Sequence, residues 1–81
     1  MKEAEVIIVF HGINEAITGE RLLLDNSIDV RVMPMPRSLG PACEMVLRID
    51  SGEIEKVRAM LGDSIDNIYC REGEGFVPWP C

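Results

Sequence analysis

The chain has 81 residues, of which 47% are hydrophobic and 27% are charged, and its formal net charge is −6. This size predicts one small soluble domain, and the acidic balance argues against a nucleic-acid surface, which requires a basic face. The longest apolar run, Val6–Phe10, is too short to cross a membrane, and no signal peptide is indicated. Three cysteines without a C-x-x-C spacing favour a reducing cytoplasm.

The first third of the chain predicts a strand, a helix and a second strand. Residues 5–10 form a continuous β-branched run, which is typical of a strand buried on both faces. Helical spacing begins after His11 and Gly12 and stops at residues 25–27. The predicted apolar stripe of this helix consists of Ile13, Ala16, Ile17, Leu23 and Leu24. Residues 28–33 alternate apolar and polar side chains, the pattern of a half-buried strand.

A loop rich in proline joins the second strand to a third strand at residues 45–49. Pro34, Pro36 and Pro41 restrict the backbone and remove amide donors. We therefore expect a stiff loop that presents Cys43 in a defined position.

The second half of the chain predicts a helix, a final strand and a tail. Residues 50–53 have the pattern of a capping box, and Gly62 is the expected end of the helix. The helix stripe is formed by Ile54, Val57, Met60 and Leu61. The last strand spans residues 65–71, with Ile68 and Cys70 on one face and Asn67 and Tyr69 on the other. Residues 1–72 are thus predicted to form the domain, and residues 73–81 a flexible tail.

The order β-α-β-β-α-β predicts an α+β fold of the ferredoxin-like split βαβ type. We expect a four-stranded antiparallel sheet in the order 4-1-3-2, with both helices on one face. In this topology the end of the first strand, the start of the first helix, the proline loop and the start of the third strand share one end of the sheet. His11, Arg37 and Cys43 are therefore expected to lie close together.

Cys43 is the candidate nucleophile, because it lies in a stiff loop near positive charge. Only the thiolate is a good nucleophile, and a free thiol has a pKa of about 8.5. The charge of Arg37 and the start of the first helix both favour the thiolate anion of Cys43. Arg48 offers a second group that could bind an anion, and His11 could act as a base toward Cys43. Alternatively, Cys43 fills the base of the loop, His11 satisfies a backbone group and Arg48 is simply solvated.

The other two cysteines suggest different roles. Cys70 shares a face with Ile68 and is expected in the core. Cys81 is either a second thiol that reacts with Cys43 or part of a disordered terminus. We predict no metal site, because His11 and the three cysteines lack the paired spacing of zinc ligands, and no cofactor.

Several of these residues together resemble a known family, the DUF3343 selenium/sulfur carrier-like proteins. The resemblance covers residues 5–70 and rests on Phe10-His11, Ala16, Glu20, Pro34-Met35-Pro36-Arg37, Cys43 and Arg48. It implies that Cys43 is the carrier residue and that Pro36 and Arg37 belong to its loop. Two features depart from the family pattern. Glu44 stands where a glycine is expected, which places a carboxylate beside the cysteine, and the tail ending in Cys81 is additional.

Our leading hypothesis is a cytoplasmic carrier rather than a turnover enzyme. Cys43 would accept sulfur or selenium as a persulfide-type adduct from a donor protein and pass it to an acceptor enzyme. A second hypothesis is a ligand-binding or interaction module in which Cys43 is inert. There the sheet face without helices would dock a partner or form a homodimer through Ile7, Val9, Met33, Val46 and Tyr69. A third is a thiol redox protein that uses Cys43 and Cys81. No hypothesis includes nucleic acid or a membrane.

Overall fold

The computed structural model describes residues 5–39 and 45–80 of the chain. Its strands and helices, in chain order, are β1 (Glu5–Phe10), α1 (Ile13–Asp25), β2 (Arg31–Pro34), β3 (Met45–Asp50), α2 (Ile54–Leu61), β4 (Ile65–Glu72) and β5 (Gly75–Pro78). Short 3₁₀ turns occupy Arg37–Leu39, Ser51–Glu53 and Gly62–Ser64. None of the helices in these described ranges has the length and apolar character needed to cross a membrane.

The strands form one sheet in the order β2-β3-β1-β4-β5, and each neighbouring pair is antiparallel. The α+β class, the two helices and the antiparallel sheet agree with the sequence prediction. The predicted order 4-1-3-2 is present from β4 to β2. The predicted strand number is wrong, because β5 pairs with the outer edge of β4.

The extra strand lies in the segment that was predicted to be a flexible tail. Glu72 pairs with Gly75 across a two-residue turn, in which Gly73 has a φ of 63°. Glycine adopts this backbone conformation without steric cost, so the turn is well suited to a hairpin. Phe76 and Val77 then place their side chains in the two separate hydrophobic clusters of the protein. A glycine-containing turn between two apolar stretches was the sequence signal for this hairpin.

Both helices pack on the sheet face that carries alternate residues of β1, namely Val6, Ile8 and Phe10. α1 buries Ala16, Gly19 and Leu23 against this face, and α2 buries Ile54, Val57 and Leu61. We call this side the helix face. It contains the larger part of the core, and Cys70 of β4 belongs to it.

Gly19 allows α1 to approach β1 closely. A Cβ atom added at Gly19 would lie 3.0 Å from Cζ of Phe10, which is closer than normal packing permits. The predicted stripe of α1 is correct for Ala16 and Leu23. It is wrong for Ile13, Ile17 and Leu24, which are all exposed. The helix turns Gly19 toward the sheet. The hydrophobic pattern did not predict this orientation, because a glycine has no side chain to contribute to an apolar stripe.

The opposite side of the sheet, which we call the loop face, is also covered. Ile7, Val9 and Val46 lie there and are at most 1% exposed. The residues that pack against them are Met33, Met35, Leu39, Tyr69 and Phe76. The Arg37–Leu39 turn contacts β5 at the far edge of the sheet from β2, so residues 35–39 cross this face. The sequence placed these residues on the correct face but predicted that the face would be open.

Smaller differences concern the ends of elements. β2 begins at Arg31 rather than at residue 28, and it includes Pro34, which an edge strand tolerates because proline lacks only a donor. Asp50 makes no side-chain capping hydrogen bond, so the predicted capping box does not form, and the Ser51–Glu53 turn precedes α2 instead. Met60 is exposed rather than part of the stripe.

Candidate functional site

The topology brings the ends of three strands to one end of the sheet, as predicted. Pro34 at the end of β2 pairs with Met45 at the start of β3. Ile8 pairs with Leu47, and continuing this register places Met45 level with Phe10 at the end of β1. Cys43 lies outside the described residues, as does Cys81, so the site is described through the residues that surround this segment.

Arg37 opens the 3₁₀ turn that precedes the Cys43 segment. The backbone N–H of Leu39 donates to the carbonyl of Pro36 at 3.1 Å, and this bond closes the turn. Met35 and Leu39 pack against the loop face and hold the turn on the sheet. The side chain of Arg37 is exposed, and among the described residues no carboxylate lies within salt-bridge distance of it.

His11 is held on the side of β1 away from β3. Its backbone N–H donates to the carbonyl of Ser64 at 3.3 Å, and its Nδ1 lies 3.7 Å from Oδ1 of Asp66. Asp66 belongs to β4, which flanks β1 opposite to β3. Within the described ranges, no hydrogen bond or ion pair joins His11 to Arg37. The expected closeness of these two side chains to Cys43 stays a prediction, because Cys43 lies outside the described residues.

Arg48 is paired with a carboxylate. Its Nη1 lies 3.4 Å from Oε2 of Glu5, whose other oxygen, Oε1, lies 3.4 Å from Nη1 of Arg71. Arg48 is opposite Ile7 in the sheet, three residues beyond the start of β3, and it points toward the end that carries Glu5. Its charge is thus partly compensated, and it lies away from the loop end of β3.

The start of α1 is also approached by a carboxylate of the chain itself. Gly12 is the N-cap residue and has an extended backbone. Oε1 of Glu15 lies 2.9 Å from the position that a Cβ atom on Gly12 would occupy. A carboxylate in the first turn interacts favourably with the positive end of the helix. Glu15 therefore competes with any other anion for the helix start, which was predicted to favour the thiolate of Cys43.

Cys70 is 2% exposed in the helix-face core, as the sequence predicted, but it is also disulfide-bonded. Three cysteines at wide spacing give no indication of pairing, so the sequence did not predict this bond.

A second region with polar groups is a cavity of about 590 Å³ beside α2, β4 and β5. Arg58 and Trp79 line it, and the guanidinium carbon of Arg58 lies 4.9 Å from the centroid of the Trp79 ring, within the range of a cation–π contact. In the part of the chain that the structure describes, no group of three or more His, Cys, Asp or Glu residues is arranged to hold a metal ion.

The sequence matches the model of one protein family over residues 5–70, and that family is described as "Putative Se/S carrier protein-like". The chain belongs to this family. The match includes every residue on which the resemblance to the selenium/sulfur carrier-like proteins was based, from Phe10 to Arg48, and it confirms that resemblance. No curated protein and no solved structure gives a significant match. β5 lies beyond the part that matches the carrier family.

Proposed function

We propose that the protein is a cytoplasmic sulfur or selenium carrier in which Cys43 holds the transferred atom as a persulfide-type adduct. Membership of the Se/S carrier-like family supports this role for the chain as a whole. The observation that carries the assignment to the loop is the position of Arg37. It is an exposed cation on an anchored turn, six residues before Cys43, with no carboxylate partner among the described residues.

The transfer step needs only a thiolate and a donor persulfide. The thiolate of Cys43 attacks the terminal sulfur of the donor, a new S–S bond forms, and the donor's own S–S bond breaks. The donor sulfur leaves as a thiolate with the electron pair of that bond. No net oxidation or reduction occurs, and the adduct on Cys43 is an anion at neutral pH. An acceptor enzyme removes the terminal atom by the reverse chemistry.

The residues around Cys43 contribute unequally to this proposal. Arg37 stabilises the thiolate and the adduct anion through its charge, and Pro36 supplies the carbonyl that closes the turn carrying Arg37. Arg48 and His11 were also predicted to bind the anion. Each already faces a carboxylate, Glu5 and Asp66 respectively, so we assign them supporting roles in the sheet. The carrier acts between a donor and an acceptor protein and does not itself complete a catalytic cycle.

The interaction-module hypothesis stays untested, but it has less support, because side chains of the chain itself pack on the face that a partner would contact. A homodimer through the loop face would have to displace Met35 and Leu39, because these side chains pack against Ile7, Val9 and Val46. We therefore propose the carrier without an interface on that face.

The test is to load the reduced protein with a low-molecular-weight persulfide and to measure its intact mass. The wild-type chain is expected to gain one sulfur atom, which a thiol reductant removes. Cys43→Ser is expected to gain much less, because the proposed acceptor is absent, while Cys81→Ser keeps the adduct. An adduct of equal yield on Cys43→Ser, or no adduct on the wild type, would show that Cys43 is not the carrier residue.

A further inference from the structure

The disulfide at Cys70 shows that a cysteine other than Cys43 takes part in a covalent bond. Cys70 lies near the end of β4, with its side chain in the helix-face core, opposite Val6 of β1 and Val77 of β5. The chain contains two other cysteines, Cys43 and Cys81. The described residues next to each of them determine which one can reach Cys70.

Cys43 is too far away to be the partner. Met45 is level with Phe10, whereas Cys70 is level with Val6, four residues back along β1. Four residues along a strand correspond to about 13 Å, and the two strand spacings from β3 across β1 to β4 correspond to about 10 Å. Together these two offsets place the Cα atoms of Met45 and Cys70 roughly 16 Å apart. Two residues extend the chain by at most about 7 Å, so the Cα atom of Cys43 lies at least about 9 Å from that of Cys70. A disulfide requires less than about 7 Å.

Cys81 is within reach. The backbone N–H of Trp79 donates to the carbonyl of Ile68 at 2.9 Å, so β5 continues along β4 to a point two residues from Cys70. The Cα atoms of Trp79 and Cys70 are then about 8 Å apart, and Cys81 is two residues further along the chain. The Trp79 side chain packs against the helix-face cluster and lies over Arg58 of α2. The Trp79 side chain thus lies on the side of the sheet that carries Cys70.

We propose that Cys70 and Cys81 form a reversible disulfide that fastens the C-terminal segment to β4 and leaves Cys43 as the free thiol of the oxidised chain. A low-molecular-weight disulfide is the oxidant. The Cys81 thiolate attacks it and releases one thiol, and the Cys70 thiolate then attacks the mixed disulfide at the sulfur of Cys81 and releases the second. Two electrons pass to the oxidant, which leaves as two thiols, and each cysteine loses one proton.

This bond secures β5, and β5 in turn supports the loop face. Phe76 packs against the cluster of Ile7, Val9 and Val46, and the Arg37–Leu39 turn contacts β5. The disulfide therefore stabilises the strand against which the turn carrying Arg37 rests. The pairing does not depend on the carrier function of Cys43. It also excludes the disulfide between Cys43 and Cys81 that the thiol-redox hypothesis requires.

Peptide mapping tests the pairing directly, because trypsin places each cysteine on a different peptide. Cleavage after Arg37, Arg48, Arg58 and Arg71 puts Cys43 in residues 38–48, Cys70 in residues 59–71 and Cys81 in residues 72–81. The full chain is first equilibrated with oxidised glutathione, and free thiols are then blocked under denaturing conditions. We expect peptides 59–71 and 72–81 to be linked. A link to peptide 38–48, or three unlinked peptides, would overturn the proposal.

Two variants provide the matched controls. Cys43→Ser keeps both proposed partners and is expected to keep the link, while Cys81→Ser removes it and leaves Cys70 as a buried thiol. In Cys43→Ser, reduction is expected to lower the melting temperature by on the order of 10 °C, because a closed loop of this size limits the freedom of the unfolded chain. In Cys81→Ser, reduction is expected to leave the melting temperature unchanged. Equal shifts in both variants would contradict the pairing.

Discussion

The two arginines predicted to act on Cys43 differ in what lies beside each of them. Arg48 lies 3.4 Å from Glu5, whereas Arg37 has no carboxylate neighbour among the described residues. Glu5 is shared with Arg71, so it compensates the charge of Arg48 only in part. Arg37 lies in the loop itself, and it is therefore the arginine that we propose to act on Cys43.

Replacement of Arg37 by Gln is expected to shift the pH midpoint of Cys43 alkylation upward by about 0.4 pH unit. The loss of a unit charge a few residues away along the chain, acting through water, changes the free energy of a thiolate by on the order of 0.5 kcal/mol, which gives a shift of this size. The rate of alkylation is measured against pH at low salt by mass spectrometry of the peptide that contains Cys43. Arg21→Gln on α1 is the control, since Arg21 is also exposed but lies on the other side of the sheet. An equal shift in both variants would show that only net charge matters.

At the residue scale the sequence identified the right residue types but not their partners. Glu5 and Arg48 are 43 positions apart, and no local pattern connects them. The same is true of His11 and Asp66, which meet only because β1 and β4 are neighbours. Such pairs follow from strand register, and a single residue of slippage would change them.

At the scale of elements, α1 shows why a hydrophobic stripe is an incomplete guide to packing. Its buried side is Ala16, Gly19 and Leu23, while four of its larger apolar residues are exposed. Small residues let the helix axis approach the sheet, so the contact is made with the Phe10 ring rather than between two large side chains. The orientation of the helix follows from this close approach.

Replacement of Gly19 by Val is expected to destabilise the protein by about 2 kcal/mol, measured by urea unfolding. The added atoms would meet Phe10 and Leu61, whose side chains are buried and closely packed, and overpacking of a core commonly costs about 1–3 kcal/mol. Gly62→Ala is the matched control. Gly62 has helical dihedral angles, and a Cβ atom added there would meet no other atom within 4 Å, so this change is expected to stabilise by about 0.5 kcal/mol. Similar losses in both variants would contradict the close approach at Gly19.

At the scale of the whole molecule, the protein covers both faces of its sheet, one with helices and one with its own loop. From the sequence, the prolines predict a stiff loop that presents Cys43. In the structure, the part of this loop that holds Met35 and Leu39 also buries apolar surface, because both side chains pack on the loop face. One segment thus closes the core and carries Arg37.

Replacement of Leu39 by Ala is expected to lower the free energy of unfolding by about 1–2 kcal/mol, because a half-buried side chain that seals the loop face is lost. The measurement is urea unfolding at fixed pH. Val32→Ala removes apolar atoms from an exposed position on β2 and is expected to change the stability by less than about 0.5 kcal/mol. If Leu39→Ala were as stable as Val32→Ala, the loop would not be part of the core.

The sequence was sufficient for the α+β class, the order of the first six elements and the assignment of residues to the two faces of the sheet. Each of these follows from local periodicity and short connections. It was not sufficient for β5 or for the cover over the loop face, because both depend on irregular segments whose position is fixed by contacts across the sheet. The disulfide at Cys70 also escaped prediction, because three widely spaced cysteines give no pairing signal.

The hairpin of β4 and β5 has a practical consequence for work on homologous proteins. The region shared with the family ends at residue 70, yet Phe76 helps to cover Ile7 and Val9. A recombinant fragment trimmed to that homology boundary would discard Phe76, Val77 and Trp79 together. Its freshly bared apolar surface would promote precipitation, and poor behaviour of such a fragment would reflect the missing hairpin strand rather than any property of Cys43.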